Sequence, residues 1–292
     1  MNAISILRIL LIATTAVFVA VFAKDLIAHK DELKGKDRIV PLSFIGAITD
    51  FFDTWGIGCF ATTQAGFKFT NTCDDELMPG TLNVGHLVPV VLEAVLFFSF
   101  VDIDPLTLYL MIGVAVAGAL VGASIVCKWN LKMVRMALGC ALFALAIVMA
   151  CKNAGIGPFG LVGTELGLSG TKLIIGLVVN FFLGALMMVG FGLYIPCTAL
   201  ILLLGMNVGA AFPIMMGSCA FLMVASGFKF VKEGKYDRKA ALTLNISGCV
   251  GVVIAYVLMK YMFSLKTLTY IICVVMLYTS FTFLRDAAKN KA

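Results

Sequence analysis

The sequence predicts an all-α polytopic membrane protein built from two inverted repeats. Each repeat is a glycine-broken segment, re-entrant in one reading, followed by three transmembrane helices, and one extra helix precedes them. Three observations predict this. The chain is 61% apolar and 13% charged, against roughly 45–50% and 25% in soluble proteins, so a soluble domain of this make-up would not cover its own surface. Apolar runs of roughly 20 residues recur from end to end, with a mean hydropathy of +1.05. Finally, the chain superposes on itself without a gap at an offset of 134 residues. The first two exclude secreted, nucleic-acid-binding and cytosolic classes. Because lipid offers backbone groups no partner and the runs do not alternate, the segments are helices rather than barrel strands.

In chain order, a first span runs from Ala3 to Ala23 and a charged stretch from Lys24 to Arg38. Val21-Phe22-Ala23 resembles a signal cleavage site, but the apolar stretch is long and its N-terminus carries only Arg8, which suits a retained helix better. Apolar segments follow at 41–68, 78–100, 105–127 and 131–150, then a glycine-rich loop to 170, then segments at 171–204, 208–228, 240–263 and 267–284. The resulting divisions are 1–40, a first repeat at 41–150, a linker at 151–170, a second repeat at 171–284 and a basic tail at 285–292.

The offset places Gly56 on Gly190, Gly58 on Gly192, Pro79 on Pro213, and Leu131-Lys132 on Leu265-Lys266. Paired breaks at corresponding positions of two halves mark a transporter's substrate site, because irregular backbone at membrane depth must face protein or a water-filled cavity. Half-helices starting after each break would aim free N–H groups and positive dipole ends at that cavity, which suits an anion. Close helix packing is the plainer role for such glycines, as for Gly118 and Gly122 in GALVG. If the broken segments are re-entrant, seven spans result, with 17 Lys and Arg inside against 5 outside. If they cross, nine spans give 15 against 7. The positive-inside rule prefers the first, with a cytoplasmic C-terminus in a cell membrane.

The stretch GFGLYIPCTALILLLGMNVGAAFPIMMGSCAFLMVASGFKFVKEGKYDRKAAL resembles the TauE/SafE sulfite exporter family, also called the toluene sulfonate uptake permease family. Gly190, Gly192, Pro196, Gly205, Gly217, Ser218 and the loop Lys229 to Lys239 carry the likeness, with Gly56, Gly58 and Pro79 in the first half, over about residues 41–284. The resemblance implies a permease for sulfite, an organosulfonate or another small sulfur-containing anion. The chain departs from that pattern at Gly56-Ile57-Gly58-Cys59, where a run of glycines is usual, and at Thr62, where proline is common.

Candidate substrate-binding residues are Thr54, Gly56, Gly58, Cys59, Thr62, Thr63, Thr81 and Asn83 in the first half and Gly190, Gly192, Tyr194, Pro196, Cys197, Thr198 and Ser218 in the second. Asp50 and Asp53, three apart and on one helix face, together with His86 and Glu93, are candidates for coupling to H⁺ or Na⁺, since ionisable groups at membrane depth are costly. The alternatives are that Asp53 caps a half-helix, that Asp50 sits near the interface, and that His86 and Glu93 lie at an aqueous edge. With only His29 and His86, a zinc site or histidine-based triad lacks parts. Nine cysteines without C-x-x-C, most of them (Cys127, Cys140, Cys151, Cys219, Cys249, Cys273) in or at the ends of apolar segments, imply no disulfide framework. Neither a cofactor nor enzymatic chemistry is expected. A membrane sensor or assembly protein that kept the fold and lost transport is the other functional class. Gly155 to Gly160 matches G-x-G-x-x-G without the strand and helix that motif needs, and Asn245-Ile246-Ser247 matches a glycosylation acceptor inside a span. The basic loop Lys229 to Lys239 reads as a topological anchor.

Overall fold

A computed structural model describes residues 3–34, 38–99, 102–122, 125, 130–154, 163–262 and 265–289. Cys127, the turn residues Lys128 and Trp129, the Gly155–Gly160 stretch and the end of the basic tail lie outside these. The helices are α1 (Ala3–Ala28), α2 (Ile39–Thr54), α3 (Cys59–Thr70), α4 (Met78–Gly85), α5 (Leu87–Phe97), α6 (Pro105–Ala117), α7 (Leu131–Asn153), α8 (Gly170–Met187), α9 (Tyr194–Leu203), α10 (Val208–Glu233), α11 (Arg238–Met262) and α12 (Leu265–Lys289). A π-helical turn, Gly118–Gly122, extends α6. Among the described residues there is no strand, only an isolated bridge between Glu165 and Met206. Six helices are long and apolar enough to cross a membrane, and the bent pair α4–α5 makes a seventh by the same measure. The protein is therefore membrane-embedded and multi-pass.

Both broken segments end their first helix in the same way. After α2, the Ile57 amide donates to Phe52 O and the Gly56 amide to Asp53 O; after α8, Phe191 donates to Leu186 O and Gly190 to Met187 O. These are Schellman turns, which need a left-handed residue, and Gly56 and Gly190 supply it with φ of 86° and 91°. The ends of α3 and α9 correspond too. Thr72 donates to Phe67 O and Met206 to Ile201 O, with Asn71 and Gly205 in the left-handed conformation. Each of the three bonds in the first half has its counterpart 134 residues on.

Packing follows the same pairing. α2 lies on α11 and α8 lies on α6 with its π-turn, while α5 meets α10 and α7 meets α12. The close crossings depend on missing side chains. A Cβ on Gly251 would overlap the carbonyl of Ala47, one on Gly184 the carbonyl of Ala115, and one on Gly118 that of Phe181. α10, with 26 residues and a length of about 39 Å, connects two ends of the bundle. At its Gly234 end, Arg38 donates to Thr72 O at 2.7 Å and to Asp237 at 2.6 Å, and Lys239 Nζ donates to Lys34 O. The entry to α2 and the exit from α3 therefore lie side by side. At the Asn207 end, the Asn207 amide donates to Glu165 O at 2.8 Å and Lys172 pairs with Glu165, so α8 and α9 also start and finish together.

Two sequence expectations need correction. The first helix runs to Ala28, not Ala23, because Asp25 is held by Arg238 Nε at 2.7 Å and Tyr236 OH at 2.5 Å. The segment at 78–100 is not plain: α4 and α5 meet at His86 with a 42° bend. Pro89 has no N–H to continue the ladder, and Asn245 of α11 bridges the gap, donating to Val84 O at 2.8 Å and accepting from the Val88 amide at 2.9 Å. In the basic loop, Arg238 and Lys239 are buried and committed to Asp25, Glu32 and Lys34.

Replacing Gly184 or Gly251 by Val is expected to force apart the α6–α8 or α2–α11 crossing. Each should cost about 1–3 kcal/mol, read as a lower thermal midpoint in detergent. Gly113→Ala, whose Cβ meets nothing within 4 Å, should leave the midpoint unchanged.

Candidate functional site

The two breaks meet. A Cβ built on Gly58 would lie 3.8 Å from Tyr194 Cβ, and one on Gly192 would lie 3.8 Å from Phe60 Cβ. The two contacts exchange under the 134-residue offset. Between them is a small cavity lined by Asp53, Gly58, Cys59, Phe60 and Val90 from the first half and Met187, Gly192, Leu193, Tyr194, Cys219 and Met223 from the second. The first residues of α3 and α9 both contribute, so the amide-rich, positive ends of two half-helices border one space. Gly58 is in a left-handed conformation with φ of 88°, which places it where a side chain would be strained as well as obstructive.

Beside the cavity lies a buried polar cluster whose acids and histidine all come from the first half. Asp50 is fully buried and both its carboxylate oxygens lie 2.9 Å from His86 Nδ1. His86 Nε2 is 2.9 Å from Thr63 Oγ1, and Thr63 donates to Thr49 Oγ1 at 3.0 Å. Glu93 accepts from Thr54 Oγ1 and from Tyr194 OH, each at 2.7 Å. That last bond joins the halves across the cavity. Asp53 stands apart. It is buried, and neither carboxylate oxygen has a partner of ordinary hydrogen-bond geometry among the described residues; the thiol and amide of Cys59 are what face it. Gly248 of α11 leaves room for the Asp50 carboxylate, which a Cβ there would overlap.

At the equivalent positions of the second half, Asp50, Asp53, Thr63, His86 and Glu93 are replaced by Gly184, Met187, Cys197, Ala220 and Gly227. The backbone repeats and the charge does not. Gly227 instead accommodates the ring of Phe18 from α1.

The structure brings Thr54, Gly58, Cys59, Thr63, Gly192 and Tyr194 together with Asp50, Asp53, His86 and Glu93. Gly56 and Gly190 shape the turns behind the cavity, and Gly190 O accepts from Gln64 at 2.8 Å. Pro196 and Cys197 are buried in α9. Other candidates are engaged elsewhere. Thr62 bonds back to Gly58 O and Cys59 O, Thr198 to Met215 Sδ at 3.1 Å, and Ser218 accepts from Asn180 at 3.3 Å. Thr81 receives the Asp237 amide at 2.9 Å and Asn83 bonds to Ser226, both toward the Gly234 end. Asp50, His86 and Glu93 are fully buried within the protein. Sequence reasoning missed Thr49, Asn245 and the sulfur-bearing lining of Met187, Cys219 and Met223, since none carries a local motif. No protein-family model, curated protein or solved structure matches the chain.

Proposed function

We propose that this protein is a permease that carries a small anion across the cell membrane through the space between its two broken segments, coupled to a cation held by the first-half acidic cluster. The observation that carries the reading is the meeting of both breaks at one small cavity that Asp53, with no hydrogen-bond partner of ordinary geometry among the described residues, also lines. Two half-helix N-termini favour negative charge there, whereas an ionised Asp53 repels it. A protonated Asp53 instead donates a hydrogen bond to the anion. Anion and proton are then bound together or not at all, which is the thermodynamic requirement for cotransport.

The common geometry of the breaks and the exchange of contacts between halves support reading the chain as two repeats. That their mouths lie at opposite ends of α10 supports reading the repeats as inverted and the broken pairs α2–α3 and α8–α9 as re-entrant, the arrangement used for alternating access about a midplane site. The end shared by Lys34, Arg38, Lys68 and the loop from Lys229 to Lys239 is rich in basic residues, which supports placing it, and the C-terminus with it, in the cytoplasm. The resemblance to the TauE/SafE family narrows the cargo to sulfite, an organosulfonate or a related sulfur-containing anion.

Uptake and efflux of labelled sulfite and short sulfonates in proteoliposomes should respond to an imposed pH gradient. Asp53→Asn should retain calorimetric binding of the anion and lose gradient-driven flux. Gly192→Leu, at a position without left-handed strain, should lose both by filling the cavity. Flux insensitive to the gradient in the wild type, or an Asp53→Asn protein that transports normally, would contradict the coupling.

Lys34→Cys and Asp75→Cys, both exposed sites, should react with an impermeant maleimide from the same side of the membrane. The native Cys73 is a poor reporter, since burial pushes its thiol up to about 11. Labelling from opposite sides would make the first broken pair a full crossing.

A further inference from the structure

We propose that Asp50, Asp53, Cys59 and His86 form a binding site for a zinc-class divalent cation at the tip of the first broken pair. A carboxylate oxygen of Asp50, the thiol sulfur of Cys59 and a ring nitrogen of His86 all lie within 4.8 Å of one another and are buried. They come from three separate elements: α2, the first turn of α3, and the joint between α4 and α5. Tetrahedral zinc, with bonds of roughly 2.0 Å to N and O and 2.3 Å to S, holds its donors roughly 3.3–3.5 Å apart, so the cluster needs only side-chain adjustment to close on an ion. The independent observation is Asp53. A buried carboxylate without a hydrogen-bond partner of ordinary geometry is costly; this one faces Cys59 from the adjoining turn, outside the three-donor group, and joins as a fourth donor by a turn of its side chain.

The donors select the cation. One sulfur, one imidazole nitrogen and two carboxylates suit a borderline-soft ion such as Zn²⁺ or its probe Co²⁺, and suit Na⁺ or Mg²⁺ poorly. The two carboxylates neutralise the ion, and its binding releases the Cys59 proton. His86 is already oriented from behind, through Nε2, by Thr63, which Thr49 steadies in turn. The second half offers Gly184, Met187, Leu193 and Ala220 at the equivalent positions, so it has no matching donor set there. Counting histidines along the sequence excludes zinc only if all ligands must be histidines; the fold draws one each of His and Cys and two Asp from segments up to 36 residues apart. Metal at this point would pin α2, α3 and the bent span together.

An Asp53 that ligates the ion is ionised and does not donate to an anion, so the metal-loaded and proton-coupled forms exclude one another; because the site is read by metal rather than by flux, its failure leaves the transport reading intact. Full-length protein in detergent would be titrated with Co²⁺ and, separately, loaded with Zn²⁺, desalted and assayed for metal content. The wild type should bind one ion with tetrahedral d–d bands and a thiolate-to-cobalt charge-transfer band. Cys59→Ser should lose the charge-transfer band, while Cys219→Ser in the same cavity should keep it. Cys59→His should retain zinc without the band, which distinguishes loss of a ligand from loss of the fold, and Thr63→Val should weaken binding about 10–100-fold. A wild type that binds no cobalt, or a Cys59→Ser protein that keeps the band, would overturn the proposal.

Discussion

The structure depends on one constraint: a chain that leaves helical geometry at membrane depth must bury its interrupted backbone against protein. Here the two interruptions face one another at their tips and are otherwise covered by the neighbouring helices. Schellman turns satisfy the carbonyls at the ends of α2 and α8. The glycines that follow let the two tips approach until Gly58 faces Tyr194 and Gly192 faces Phe60. The remaining helices serve this meeting. α11 backs α2 and α6 backs α8, each crossing at glycine so that backbone touches backbone, and α5 and α10 close the sides.

On this repeated frame the polar groups are distributed unequally. One half carries two aspartates, a glutamate and a histidine around its tip, and the other carries methionine, alanine and glycine at the same positions. Charge at membrane depth is expensive and is found where it has a partner or a task. Asp50 and His86 partner one another, and Glu93 is held from both halves by Thr54 and Tyr194. Asp53 has no such partner, and it is the group on which both the coupling scheme and the proposed metal site converge.

Much of this frame was legible in the sequence, because the features that set it are local or periodic. Glycines at Gly56, Gly58, Gly190 and Gly192 mark the breaks wherever a left-handed or close-packed residue is required, and the 134-residue offset aligns them without any knowledge of contacts. The bend at His86 was not legible: Pro89 weakens the helix there, but the bend is stabilised by Asn245, which lies 161 residues beyond Val84. The pairing of Asp50 with His86, the bond from Tyr194 to Glu93 and the commitment of Thr198 to Met215 were hidden for the same reason. Hydroxyl groups near a break looked available for a ligand because sequence shows a side chain's chemistry and not what already occupies it.

The central claim, that the two tips meet, is tested most directly by a disulfide. With the native cysteines replaced, Phe60→Cys and Gly192→Cys would place two Cβ atoms about 3.8 Å apart, within the usual disulfide spacing of roughly 3.5–4.5 Å. Mild oxidation of membranes carrying this pair should give an intramolecular cross-link between the two halves, identified by mass spectrometry of the joined peptides and reversed by reductant. A pair that stays reduced, while a control pair at the α2–α11 crossing oxidises, would mean that the breaks do not share a cavity.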